Sequence, residues 1–264
     1  MHLVDIGVNL DHRLFQGDRD QVIDRAVKAG VTTMIVTGTD LRTSESAAEL
    51  AARYPDTLYS TAGVHPHNAR SCNKDTMGSL RRLAAHREVV AIGECGLDYN
   101  RDFSPRVEQD RWFEAQVELA AELKLPLFLH ERDAHTRFIE ILRAHRGSFA
   151  SAVVHCFTGS GEELKAYLDL GLHIGITGWI CDERRGLHLR EIVRTVPLER
   201  LMLETDAPFL VPRNIPSKPK NGRNEPAFLP FVLRTVADSL KMSVEEIAAR
   251  TTATAVEFFG MRRT

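Results

Sequence analysis

The stretch VVAIGECGLDYN, residues 89 to 100, begins as a buried strand and ends as something else. Val89, Val90, Ala91 and Ile92 form the short apolar run of a strand covered on both faces. The run then delivers Glu94 at its end and Asp98 just beyond, with Gly93 and Gly96 keeping the backbone open. A carboxylate at an apolar strand end needs a strong partner, because burying it unpaired is costly. Glu94 is therefore a cap neighbour, a salt-bridge partner or a member of a shared site.

Working outward, similar β-rich runs occur at 2–8, 31–37, 57–64, 126–130, 152–156, 172–177 and 200–204, which with 89–94 makes eight. Segments with helical spacing separate them, such as Val22, Ile23, Ala26 and Val27 before Gly30, and Phe113, Val117, Ala120 and Ala121 before Leu125-Pro126. Helical stretches at about 228–240 and 243–259 close the chain. Strand and helix alternating eight times predicts a (β/α)8 TIM barrel as a single domain over residues 1–264, with a doubly wound open sheet as the alternative.

Composition is that of a globular protein, 43% hydrophobic and 27% charged over 264 residues. A net charge of -2 supplies no global basic field for holding duplex nucleic acid, so any such role rests on a local site. The opening MHLVDIGVNLDHR has no basic segment followed by an apolar one, and no apolar run reaches membrane-spanning length. A cytoplasmic protein is expected. Cys72, Cys95, Cys156 and Cys181 are widely spaced and read as reduced thiols. No glycine-rich phosphate fingerprint follows the first strand.

Polar residues gather at the strand ends. The third strand runs into His65 and His67, the fourth into Glu94, the fifth into His130, the sixth into His155, and the eighth into Glu204 and Asp206. In a barrel these ends converge on one mouth, where active sites of the fold are built. Histidines and carboxylates converging there point to a divalent metal; residue type alone leaves zinc, manganese and magnesium open. Such an ion lowers the pKa of bound water and polarises a phosphoryl or carbonyl oxygen, so hydrolysis is the expected reaction class. His67, after Pro66 in a turn, reads as solvated, and strand period turns Cys95 and Cys156 away from Glu94 and His155. The loop 212–226 carries Arg213, Lys218, Lys220 and Arg223, a basic patch suited to phosphate at the barrel mouth. Tyr99, Phe103, Phe157 and Trp179 are candidates for stacking on bases.

VDIGVNL (4–10), TAGVHPH (61–67), AIGECGLDYNRDFSP (91–105), LPLFLHERDA (125–134), VVHCFTG (153–159), LMLETDAPFLVPR (201–213) and RNEPAFLP (223–230) together resemble the TatD-type metal-dependent hydrolases, in order and over essentially the whole chain. The resemblance implies a TIM barrel with a divalent metal site and magnesium-dependent 3′ to 5′ exonuclease action on single-stranded DNA, with RNA as a further substrate. It also suggests repair or fragmentation of DNA as the setting, and the chain is expected to act as a monomer. Matched residue by residue, Glu94, His130 and His155 are the implied metal ligands. Asp206 is the aspartate that ligates metal or handles the attacking water, and His65 is a motif histidine near the site; apart from the resemblance, Glu204, two residues before Asp206 in the same strand, points the same way by strand period and is expected to support the shell. Arg132 is the positive side chain placed for phosphate.

In one place the chain departs from the broader family, which opens with D-x-H-x-H; here Asp5 is followed by Ile6, Gly7, Val8 and Asn9. The expectation is one site filled first, with a second ion weak or arriving with substrate. A small-molecule amidohydrolase or lactonase on the same barrel is the rival reading, although no lysine ends a predicted strand. A non-catalytic binding protein is a second rival, disfavoured by the intact Glu94, His130, His155 and Asp206.

Overall fold

In the computed structural model, which describes residues 2–219 and 221–261, all eight runs are strands. They are β1 (Leu3–Val8), β2 (Val31–Val36), β3 (Leu58–Ala62), β4 (Val89–Asp98), β5 (Leu127–Arg132), β6 (Ala152–Val154), β7 (His173–Ile176) and β8 (Leu201–Leu203). Each pairs in parallel with the next, in the order β1 to β8. A bridge between Val8 and Ala207, with hydrogen bonds from Asn9 N to Ala207 O and from Asp206 N to Gly7 O, ties the segment after β8 back to β1. The sheet is thus a nearly closed barrel rather than a doubly wound open sheet.

The helices between strands are α1 (Arg19–Lys28), α2 (Leu41–Arg53), α3 (Thr76–Leu83), α4 (Arg106–Leu123), α5 (His135–Ala144), α6 (Gly161–Asp169) and α7 (Leu187–Ile192), followed by α8 (Leu229–Leu240) and α9 (Val244–Phe258). Two begin with reciprocal capping boxes, Asp40 with Thr43 and Ser160 with Glu163. Each cap satisfies amides at a first turn facing the barrel mouth and contributes about 1 kcal/mol. Lys220, one of the basic loop residues, lies outside the described residues.

Strand β4 runs to Asp98, past the expected end at residue 94. The apolar run ends at Ile92, but the two glycines of GECGLDY are where β4 approaches β5 most closely. A Cβ on Gly93 would lie 2.2 Å from Phe128 O, and one on Gly96 would lie 1.9 Å from His130 O. Both glycines also take positive φ, 143° and 141°, which a side chain would oppose. Between them the register slips: Gly93 pairs with Phe128 and Cys95 with Leu129, leaving Glu94 as the extra residue of a bulge. Bulges re-aim a side chain, and this one turns the Glu94 carboxylate toward the barrel axis.

On β5, β6 and β8 the period of two stacks a polar residue above an apolar one. Phe128 precedes His130, Val153 precedes His155, and Met202 precedes Glu204. The lower members pack with Val4, Ile6, Ile35 and Val90, and Phe258 and Phe259 close this inner cluster from the end of α9. Residues of opposite parity, such as Leu127, Leu129, Val154 and Leu203, pack in the layer between strands and helices. The mouth therefore has a dry floor, with the Phe128 ring 4.8 Å from that of His155.

Candidate metal centre

One atom organises the mouth. Oε1 of Glu94 lies 2.7 Å from His155 Nε2, 3.1 Å from His130 Nδ1 and 3.4 Å from His65 Nε2. The bulge on β4 supplies the carboxylate, β5 supplies His130, and the residues just past β3 and β6 supply His65 and His155. Burial alone would raise the Glu94 carboxyl, but the imidazoles of His155 and His65 beside it and hydrogen bonds from His130 and His155 hold it well below the usual range. Burial would lower His155, yet Glu94 and Glu204 on its two sides keep it well above the ordinary imidazole value.

The two nitrogens of each histidine have different partners, and these set the roles. The His67 amide donates to His65 Nδ1 at 3.1 Å. Burial pushes His65 down to about 4, so it is neutral at pH 7 with its proton on Nε2, facing Glu94 as a donor. His155 is arranged the other way round. Its Nδ1 meets Glu204 Oε2 at 3.3 Å, which holds a proton there, so Nε2, 2.7 Å from Glu94 Oε1, is the nitrogen that would exchange its proton for an ion. His130 presents Nδ1 to Glu94, while its buried Nε2 has no hydrogen-bond partner and lies 3.4 Å from Asp98 Oδ2.

Asp98 belongs to the site, although the sequence reading gave it no role. It is 1% exposed and lies 2.7 Å from His67 Nε2. The expectation that His67 is merely solvated is overturned. The turn after Pro66 folds its ring inward, against His65 at 4.3 Å between centroids. Burial would raise the Asp98 carboxyl, and the neighbouring His130 imidazole together with the hydrogen bond from His67 carry it well below the usual range instead.

Glu204 occupies a slot made by two glycines. A Cβ on Gly7 would lie 2.5 Å from its Oε2, and one on Gly175 would lie 2.6 Å from its Oε1. Fully buried there, it accepts the Cys156 amide as well as facing His155. Asp206 sits at the mouth with φ of 52°, held by Asn9, whose amide donates to Oδ1 at 3.0 Å. Burial pushes Asp206 up to about 7, with His155 opposing and Glu94 and Glu204 adding to the rise. Asp5 anchors the same turn by accepting the Thr205 amide at 2.9 Å and the Thr205 hydroxyl. Cys156 is not turned away as strand period implies. Strand β6 stops at Val154, and Cys156 takes φ of 49°, so alternation no longer applies. Burial, then Asp206 and Glu204, push its thiol up. Cys95 does face the apolar layer.

This donor set fits a divalent cation. Ligand atoms of His65, Glu94 and His130 lie within 4.8 Å of one another and His155 Nε2 lies 2.7 Å from Glu94; with both His65 nitrogens engaged, Glu94, His130 and His155 are left to face an ion, and the orphaned His130 nitrogen is the kind of buried polar atom that an ion satisfies. The family model described as TatD related DNase matches residues 4–260. The chain belongs to the TatD family.

It is 51% identical over 259 residues to the 3'-5' ssDNA/RNA exonuclease TatD of Pantoea ananatis, covering 98% of this chain and 100% of that one. Identity to the protein of the same name from Dickeya dadantii is 54% over 235 residues, 89% of each chain. Among solved structures, a TatD homologue from Escherichia coli K12 superposes with a TM-score of 0.90 at 27% identity, covering 98% of both chains. The fold and hydrolase class implied by the sequence motifs hold across the chain.

Within this TatD barrel the missing histidines of D-x-H-x-H have structural counterparts. Position 7 is empty of side chain because Glu204 fills that space, and Asn9 spends its amide on Asp206. The arginines divide in two. Arg132 ends β5 exposed, with no carboxylate partner among the described residues. Arg213 is instead paired with Glu183 at 3.1 Å. Arg223 is nearly buried and binds Asp18 at 2.7 Å, Glu225 at 2.6 Å and the Leu14 carbonyl. The expected phosphate role of Arg213 and Arg223 is corrected accordingly. Their terminal nitrogens tie the loop after β8 to its neighbours, with Arg223 Nε left unpartnered, because each has acidic partners brought close only by the barrel. Of the stacking candidates, Phe157 is buried and Tyr99 donates its hydroxyl to Asp110. Trp179 is half-buried beneath Arg185, and Phe103 is exposed.

Proposed function

We propose that this chain is a metal-dependent 3′ to 5′ exonuclease that hydrolyses phosphodiester bonds at the ends of single-stranded DNA and RNA. The supporting observation is the near-full-length identity of 51% and 54% to relatives named for that activity, in a chain whose mouth gathers a ligand set suited to the chemistry. No helix among the described residues is long and apolar enough to cross a membrane. A cytoplasmic monomer, one barrel domain over residues 1–264, working on ends produced in DNA repair or fragmentation, completes the reading.

Glu94, His130 and His155 are the proposed ligands, with Asp206 beside them. Magnesium is the ion we assign, with manganese and zinc as the alternatives that two imidazoles favour. When bound, the ion neutralises charge building on the phosphoryl oxygens and acidifies water. The protein's own groups do the rest. Asn9 fixes one oxygen of Asp206; the other accepts no hydrogen bond among the described residues and is available to take a proton from the attacking water. Glu204 fixes the tautomer of His155, and His65 holds the Glu94 carboxylate from the opposite side. Arg132, projecting from the same strand face as His130, meets a phosphate oxygen.

The test is degradation of a single-stranded oligonucleotide labelled at its 5′ end, with magnesium, with EDTA, and with His130→Ala. A ladder shortening from the 3′ end that disappears in both controls is expected. Metal-loaded protein that leaves the strand whole overturns the reading and turns the search to esters, lactones and amides.

A further inference from the structure

Among the described residues, six large apolar side chains are exposed: Leu14, Val27, Phe103, Val107, Leu187 and Phe209. All but Val27 sit on loops or first helical turns that follow strands, the face on which Glu94 opens. Exposed apolar surface gathered on one face marks a contact surface, and the two aromatic members have an arrangement of their own.

Phe103, 53% exposed, follows β4, and its ring packs on His67 at 4.7 Å, edge to face. His67 in turn packs on His65 at 4.3 Å, and His65 on His130 at 4.4 Å, so a chain of rings leads from the metal cluster to Phe103. Phe209, 48% exposed, lies three residues past Asp206, donates its amide to the Asp206 carbonyl at 3.0 Å and packs on His12 at 5.5 Å. Strands β4 and β8 are four apart in a ring of eight, so these two rings stand on opposite sides of the mouth. Arg13, Arg70, Arg101 and Arg132 lie on the same set of loops and strand ends, exposed and without a carboxylate partner among the described residues.

Exposed π faces next to unpaired guanidiniums match one chemistry: unstacked bases joined by phosphates. We propose that Phe103 and Phe209 are the base-stacking platforms of this site, each taking one of the last nucleotides of a single strand while the free arginines meet its phosphates. The inference rests on the exonuclease reading and adds how the strand is held. It also explains preference for single strands, since a duplex keeps its base faces covered. Stacking tolerates every base, so the platforms impose little sequence preference.

The experiment uses the full chain with magnesium and four oligonucleotides: one intact, and three each lacking one base among the last three positions at the 3′ end. In the wild type, base removal at a stacked position is expected to raise KM roughly tenfold with kcat nearly unchanged. In Phe103→Ala the intact strand shows that same rise and the penalty at one position vanishes; in Phe209→Ala it vanishes at a different position. Phe103→Trp restores both the KM and the penalty. General damage to the fold would not erase discrimination at a single position. Penalties that persist unchanged in both variants, or a wild type indifferent to all three base removals, overturn the platforms while leaving the exonuclease reading intact. A wild type that degrades none of the four strands overturns both.

Discussion

Both sides of the barrel mouth bury charged groups, and they use them differently. Around β8 and β1 the polar groups are largely taken up within the protein, Arg223 Nε excepted. Arg223 is shared by Asp18, Glu225 and a carbonyl, Asp5 is taken up by Thr205, and Asn224 bonds the Thr205 carbonyl and the Pro208 carbonyl. Across the mouth, around β4 and β5, capacity is left over. Glu94 draws three imidazoles to one oxygen, His130 keeps a nitrogen without a hydrogen bond, and Arg132 has no acidic partner among the described residues. A saturated network stabilises a shape, and an unsaturated one waits for a ligand. Asp206 stands at the join, one oxygen bonded to the scaffold and the other open.

That contrast can be broken at the join first, where the largest effect is expected. Asp206→Asn keeps a partner for Asn9 but cannot accept a proton, so kcat should fall roughly 10²- to 10⁴-fold while strand binding persists. An activity loss below tenfold would move Asp206 from the chemistry into the scaffold. Next comes Arg223→Met, which removes the more buried of the two cations, Arg223 and Arg25, that Asp18 and Glu225 share. With Arg25 still in place the loss should be about 1 to 3 kcal/mol, read as a lower denaturant midpoint, with little change in activity of the folded fraction. If activity falls and stability does not, the arginine belongs to the ligand side after all.

Glu204→Gln tests whether the glycine slot serves the metal. The amide has nearly the carboxylate's shape but presents N–H where His155 Nδ1–H points, so one of the two must turn. Metal affinity should drop roughly 10- to 100-fold, measured by titration against a chelator, with activity recovered at high metal concentration. Unchanged affinity would make Glu204 a structural filler.

The smallest effect belongs to acid stability. The Arg223 hydrogen bond, with help from Arg25, lowers the Asp18 carboxyl from its ordinary value of 3.8 to about 2. Because the folded value is depressed, the contribution is fully present above the ordinary value and is lost as pH falls from there through about 2. Asp18→Asn should therefore remove about 1 kcal/mol or less near neutral pH and flatten that part of the acid limb in thermal unfolding between pH 5 and 2. A limb of unchanged slope would show the pair to be worth nothing in solution.

How much of this was legible beforehand follows from how local each signal is. Glu94, His130, His155, Glu204 and Asp206 could be read at strand ends because an apolar run and its polar terminus are neighbours in sequence. Asp98 was in plain view in GECGLDY, but the extension of β4 that carries it rests on glycines accommodating the backbone of β5, a contact between strands that no local pattern shows. Asn9 was noticed only as a missing histidine; its use needed Asp206, 197 residues away. The misassigned arginines share this cause, since the partner of Arg223 is Asp18, 205 residues distant.

The sequence by itself determined the alternation of strands and helices, and with it the single mouth where polar strand ends meet, because periodicity and residue type act over a few residues. Tertiary structure decided which nitrogen of each histidine faces Glu94, that Glu204 lies in the space left at Gly7 and Gly175, and which arginines remain free. Those outcomes depend on the ring closing between β8 and β1, and hydrogen-bond capacity is settled only once every neighbour is in place.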